Sequence, residues 1–254
     1  MIYEIRLKGR QKQGECSIIL TMTFFIIILS VFSLNLIPIV YISAVKPMLA
    51  GKLQERAYAL VVSSLVLFAL RTVCLCLLYG CDRFMLKRAE NYTAGAGDIF
   101  YYFSPKKMIS LCTFNLRFGA YKLMVLTIVL IPFTFCAYFC YSLCSKGFSA
   151  AVCSIFAVFS LILLCLGLTG YCEISDLLFL VRYRYIKGDY LSFRNLISQS
   201  QQDMMKKSTE LRKLKASFCG WFLLSVLIIP LPYVWCYYRQ TKACFATRQC
   251  LSPE

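Results

Sequence analysis

Apolar residues gather into long runs separated by shorter basic stretches: Ser17–Val45, Ala57–Tyr79, about Ala120–Cys144, Phe148–Tyr171 and about Phe218–Tyr238. A spanning helix needs about 20 mostly apolar residues to cross a hydrocarbon core roughly 30 Å thick, and each run supplies them. Lipid offers no water to backbone N–H and C=O groups, so a chain with this pattern has to be helical there. The pattern predicts an all-α polytopic bundle, with residues 1–254 forming a single membrane domain. It has either five spans or four spans plus a broken C-terminal hairpin. Pro230 and Pro232 open the second option, because each lacks a backbone donor and disfavours helix just before it.

Ser17–Val45 follows a charged lead of Arg6, Lys8, Arg10 and Lys12. It is longer than the roughly 7–15-residue core of a cleavable leader and has no small-x-small site after a short core, so it is expected to stay as the first span. The basic residues set the orientation, since cytoplasmic connections carry the excess of Lys and Arg. Residues 1–16, 80–122 and 172–217 hold four, seven and nine of them, whereas the opposite connections hold only Lys46, Lys52 and Arg56, then Lys146. The expectation is a multi-pass protein of the cell membrane, with its N-terminus and the basic connections 80–118 and 172–217 in the cytoplasm. Arg239, Lys242 and Arg248 mildly favour a hairpin that returns the C-terminus to that side.

Within these connections, Ser104-Pro105 reads as an N-cap and first helical residue, so a helix is predicted to start there, with Pro132 as a kink. Ile99, Phe100, Tyr101, Tyr102 and Phe103 suit a headgroup-zone anchor. From Arg182 to Lys215 there are nine basic and three acidic residues, a net +6. Phe193, Ile197, Met204, Leu211 and Leu214 fall at roughly helical spacing, which gives one apolar and one basic face. Such a helix can lie on anionic lipid, which makes Lys206, Lys207, Arg212, Lys213 and Lys215 the candidate lipid contacts. A plain solvated positive-inside loop fits equally well.

Composition removes several chemistries. The chain has no histidine, which excludes Ser-His-Asp and Cys-His mechanisms and the usual His-liganded catalytic zinc. No GxxxxGK[ST] loop is present, and Gly95-Ala96-Gly97-Asp98 is too short for a dinucleotide fingerprint. Asn91-Tyr92-Thr93 matches a glycosylation acceptor, but on the predicted cytoplasmic side it is a chance match. The net charge of +16 is accounted for by the positive-inside rule without nucleic acid. Most of the fifteen cysteines lie in apolar runs as small hydrophobes. Cys136, Cys140 and Cys144 form a stripe that reads as helix packing before it reads as a soft-metal site. No cofactor and no metal is expected.

Charges within spans are the remaining candidates, because they are expensive in lipid. Arg71 lies deep in the second run, and Glu173 and Asp176 share a helical face at the end of the fourth. Two readings follow. The first is a non-enzymatic scaffold, regulator or accessory subunit with a basic surface near anionic lipid. The second is a small transporter using Arg71 with Glu173 or Asp176.

Met204-Met205-Lys206, then Ser217-Phe218-Cys219-Gly220-Trp221, then Trp235 and Thr241-Lys242-Ala243-Cys244-Phe245 together resemble the C-terminal third of an uncharacterised bacterial membrane-protein family catalogued as domain of unknown function 975. Lys207 stands where that family has glycine, and Tyr238-Arg239 replaces its Pro-Tyr pair. The resemblance implies a bacterial plasma-membrane protein and brings no activity, cofactor or site residues with it.

Overall fold

The computed structural model describes residues 4–6, 23, 25–30, 53–188, 192–224 and 231–248. Every regular element among them is helical, as the apolar pattern requires. The expected first span, apart from a few residues, and the connection carrying Lys46 and Lys52 lie outside the described residues, as does Pro230. The long elements are α1 (Leu53–Ala89), α3 (Pro105–Ser145) and α4 (Ala150–Leu177). A short α2 (Ala96–Ile99) and a 3-10 turn (Tyr101–Phe103) precede α3. After α4 come α5 (Phe179–Lys187), α6 (Phe193–Met205), α7 (Ser208–Ala216), α8 (Cys219–Leu224) and α9 (Leu231–Ala246).

Among the described residues, three helices are long and apolar enough to cross a membrane: Val61–Ala89, Pro105–Ser145 and Ala150–Lys187. The chain is a membrane protein. The 41 residues of α3 extend about 62 Å at 1.5 Å per residue, twice the roughly 30 Å of hydrocarbon. Its polar start, from Pro105 to Lys122, therefore stands outside the apolar layer, and Pro132 lies within the helix. Ser104 gives up its carbonyl to the Met108 N–H at 2.8 Å, so the helix starts where the Ser-Pro pair places it.

The connection at 80–118 is not a loop throughout. Residues 81–89 contain no helix breaker, and Cys81, Phe84, Met85 and Leu86 keep one face of α1 buried, so the helix runs on to Ala89. It stops because Asn91 adopts a left-handed φ of 65°. The Tyr92 N–H then donates to the Lys87 carbonyl and the Asn91 N–H to that of Arg88, closing the last turn. Asn91 thus has a structural task unrelated to its place in an Asn-x-Thr triplet.

The chain divides into two compact units. The first comprises Met1–Cys112, Tyr183–Tyr190 and Lys213–Glu254. Its core is the second half of α1, with Cys76, Leu77, Tyr79, Met85 and Leu86 buried, and the inner face of α9, with Val234, Cys236, Tyr237, Ala243, Cys244 and Phe245 buried. Against the same half of α1 lies the 96–103 segment. A Cβ at Gly80 would meet the Ile99 carbonyl oxygen at 1.8 Å, so only glycine admits this approach. Ile99 and Tyr102 are buried there, the Cys76 thiol donates to the Tyr102 carbonyl at 3.6 Å, and the rings of Tyr79 and Tyr102 meet edge to face. The expected headgroup anchor is thus split: Phe100 and Phe103 stay exposed, while Ile99 and Tyr102 are core.

Within the first unit, the Phe218 ring centroid lies 5.1 Å from that of Tyr237. One straight helix would separate these residues by about 28 Å.

The second unit comprises Thr113–Arg182 and Leu191–Arg212. Gly167 brings α4 close to the Val129 carbonyl of α3, where an added Cβ would sit at 3.2 Å. The Phe139 and Phe156 rings meet at 5.3 Å. Outer faces remain bare, with Leu123 65%, Phe135 72% and Ile155 68% exposed, which is where lipid takes the place of protein. Ser192 caps α6 by accepting the Asn195 N–H, and Ser200 on α6 donates to the Leu177 carbonyl at 3.0 Å.

Candidate functional site

Three charged clusters concentrate the polar chemistry. In the first unit, α1 brings Asp82 and α9 brings Arg239 into a pair that is 3% and 6% exposed. The Arg239 Nη2 donates both to an Asp82 carboxylate oxygen and to the Leu78 carbonyl, the latter at 2.9 Å. Next to Arg239 on α9, Gln240 donates to the Met85 carbonyl at 3.4 Å, and the Thr241 hydroxyl donates to the Tyr237 carbonyl. Ion pairs this deeply buried hold only with such added hydrogen bonds.

The sequence reading missed this pair, because Asp82 falls just past the end of the apolar run and Arg239 sits in the tail. Asp82 thus joins Glu173 and Asp176 as an acid at a span border. A usable signal was the apolar pattern persisting through Cys81, Phe84, Met85 and Leu86, which marks residue 82 as part of a helix still in its core.

Beside that pair, the 96–103 segment carries a second cluster. Asp98 accepts from Lys87 at 2.7 Å, from Arg83 at 3.4 Å and from the Gly95 N–H at 3.2 Å. Burial pushes its carboxyl up, but the hydrogen bonds of Lys87, Gly95 and Arg83 and the Lys87 charge outweigh that and hold it below its ordinary 3.8. The Tyr101 ring lies between two cations, with the Arg83 guanidinium 3.6 Å and the Lys107 ammonium 3.4 Å from its centre. Lys187 reaches Glu90 at 3.4 Å.

In the second unit, the predicted acids find a predicted cation. The Arg212 Nη1 donates to Glu173 at 2.8 Å, and its Nε lies 3.9 Å from Asp176. Asp176 is buried, while Glu173 and Arg212 are about half exposed. Arg71 belongs to the first unit, where it is exposed and its charge acts on the Cys74 thiol.

The candidate lipid contacts sort by face. Lys206, Arg212 and Lys213 are exposed, whereas Lys207 and Lys215 are half-buried. The apolar stripe behind them is packed inside the protein: Ile197 is 8% exposed, and Met204, Leu211 and Leu214 are fully buried. The helix with an apolar face free for lipid, one option of the sequence reading, is thus two helices whose apolar face is taken. The chain turns between them at Lys206 and Lys207, where the Lys207 N–H bonds the Met204 carbonyl at 3.0 Å.

Among the described residues no group of three cysteines, aspartates or glutamates is arranged to hold a metal ion. No family model, no curated protein and no solved structure matches the chain.

Proposed function

We propose that the protein is a non-enzymatic, multi-pass component of the cell membrane, acting as a scaffold, regulator or accessory subunit whose basic cytoplasmic face engages anionic lipid headgroups. The observation that carries this is the division of the 193–216 segment: its apolar side is buried while Lys206, Arg212 and Lys213 face outward. With the apolar stripe taken up by protein, contact with lipid is electrostatic and needs no insertion, each basic group near the surface being worth about 1 kcal/mol, or about fivefold in affinity. The similarity of residues 204–245 to a bacterial membrane family accords with a plasma-membrane setting.

The N-terminus is placed in the cytoplasm by the excess of Lys and Arg on that side. Arg248 pairs with Glu4 at 3.0 Å, and the Tyr237 hydroxyl donates to the Arg6 carbonyl at 3.2 Å, contacts that support a reading with both ends on one face. Termini on one face require an even number of crossings. Four spans and a C-terminal hairpin satisfy that, and the nearness of Phe218 to Tyr237 supports the hairpin. Reporter fusions after Lys107, Lys207 and Glu254 should all read cytoplasmic; an active periplasm-type reporter at any of them would overturn the orientation.

The lipid reading is tested by extracting the full-length protein from membranes of mixed neutral and anionic lipid and measuring the lipid retained by mass spectrometry. Enrichment of anionic lipid should fall in the Lys206→Gln/Lys213→Gln variant and in high salt. A retained ratio equal to the bulk membrane, unchanged by salt or by the variant, would remove the reading. The transport alternative has less support, since Arg212 already meets Glu173 and Asp176, while Arg71 is exposed.

A further inference from the structure

In the first unit, the end of α1, the 96–103 segment and the start of α3 gather more positive charge than Asp98 answers. The Arg83 guanidinium lies 3.6 Å and the Lys107 ammonium 3.4 Å from the centre of the Tyr101 ring. Two cations so close to one ring centre cannot share a face, so they stand opposite each other across it. Lys87 joins them through Asp98, which it meets at 2.7 Å and Arg83 at 3.4 Å. Three cations against one carboxylate leave a surplus of two positive charges. The ring attracts the cations through its quadrupole but has no charge with which to cancel theirs. Asp98 meets Arg83 at Nε, and the Nη edge of a guanidinium carries the paired donors that take two oxygens of a phosphate. Apolar surface borders the same cluster. Phe100 and Phe103, on either side of Tyr101 in the chain, are 48% and 39% exposed, with ring centroids 5.6 Å apart. Their segment packs on Cys76 and Gly80, where the apolar run of α1 ends, so rings and cations meet at the border of the hydrocarbon.

We infer that Arg83, Lys87 and Lys107 form a binding site for one phospholipid with a phosphomonoester headgroup, whose glycerol and acyl portion lies against Phe100 and Phe103. A phosphomonoester carries about −1.5 to −2 charge at neutral pH and matches the surplus. A phosphodiester brings a single negative charge and leaves part of the surplus standing. The exposed rings favour a lipid over a soluble phosphate, which has nothing to set against them. The site rests on the membrane setting of the chain and not on the face formed by Lys206, Arg212 and Lys213: that face attracts anionic lipid in general, whereas this cluster holds one headgroup in one place.

The test titrates the full-length protein in detergent with phosphatidic acid, phosphatidylglycerol and phosphatidylcholine of identical acyl chains, and counts bound lipid by native mass spectrometry. One phosphatidic acid per chain is expected to bind in preference to the other two. Lys107 lies outside the buried core, so Lys107→Gln can be read without loss of the fold; it should weaken phosphatidic acid about fivefold, the worth of one basic group near a headgroup. Lys107→Arg should restore binding, and Lys206→Gln/Lys213→Gln should leave it unchanged. Phe100→Ser/Phe103→Ser should weaken it, and inorganic phosphate in excess should not displace the lipid. Equal binding of phosphatidic acid and phosphatidylglycerol, or binding indifferent to Lys107→Gln, would overturn the inference. So would displacement by inorganic phosphate with full binding in Phe100→Ser/Phe103→Ser, which would assign the cluster to a soluble phosphate. Loss in Lys206→Gln/Lys213→Gln alone would also overturn it and leave the broader lipid reading standing. Binding that follows Lys107 while extracted lipid matches the bulk membrane would sustain this site and sink that reading.

Discussion

Removing one member of the Asp82–Arg239 pair should be among the most damaging single changes available in this protein. Arg239→Ala removes the guanidinium that pairs with the Asp82 carboxylate, 3% exposed, and donates to the Leu78 carbonyl. Breaking a buried pair from one side is worth about 3–5 kcal/mol, most of it the penalty of the stranded charge. For a chain of this size 1 kcal/mol moves the unfolding midpoint by roughly 2–4 °C. The single variants Arg239→Ala and Asp82→Ala should then each fall by roughly 6–20 °C, from those two figures. Asp82→Leu/Arg239→Met strands no charge and refills the volume, so it should recover most of the loss, because apolar replacement of both partners is often neutral or better. The assay is the loss of the monodisperse size-exclusion peak after heating in detergent, run on the wild type, the singles and the double as a cycle. Single and double losses that add, or singles that shift by under about 2 °C, would show that the two charges do not depend on each other and would refute the argument.

Gly80→Ala should destabilise the first unit by about 1–3 kcal/mol, because its Cβ would overlap the Ile99 carbonyl and push the 96–103 segment off α1. Gly119→Ala, which meets nothing within 4 Å, is the helical control and should be neutral or slightly stabilising in the same heating assay. Asp98 has a depressed folded-state pKa, so its stabilisation is full above its ordinary 3.8 and is lost as pH falls through the lower folded value. Hydrogen exchange of residues 95–103 should therefore rise in that acidic window, and in Asp98→Asn it should already be raised at neutral pH and insensitive to the window. Arg212→Ala should lower stability by under about 1 kcal/mol, since Arg212 and Glu173 are about half exposed; a loss of several kcal/mol in the heating assay would mean that the buried Asp176 depends on it.

Much of the helical architecture was legible because lipid demands long apolar runs and because Ser104-Pro105 carries its own start signal. The end of α1 was not. Hydropathy stops at Tyr79, yet a helix stops where its backbone geometry changes, and that happens at Asn91, a residue whose tolerance of positive φ does not register in any apolar count. The same error concealed Asp82: with the run closed at residue 79, an acid at 82 looked like part of a solvated loop. Gly80 could be seen as a glycine in a helix, but the backbone that approaches it comes from residue 99 and leaves no trace at residue 80.

The candidate site shows a deeper limit. The spacing of Ile197, Met204, Leu211 and Leu214 says that one side of the segment is apolar, and lipid or protein would satisfy it alike. What covers the stripe is a tertiary fact, and here it is protein: Met204, Leu211 and Leu214 have no exposed surface left to insert. Their burial changes what the lysines can do. A helix lying on a membrane by its apolar face binds through both terms and tolerates salt. Once that face is spent on the fold, whatever binding Lys206, Arg212 and Lys213 provide depends on charge alone and must fade as the Debye length shrinks from about 10 Å at 0.1 M salt to about 3 Å at 1 M. Salt sensitivity therefore separates the two arrangements that the sequence pattern leaves equal.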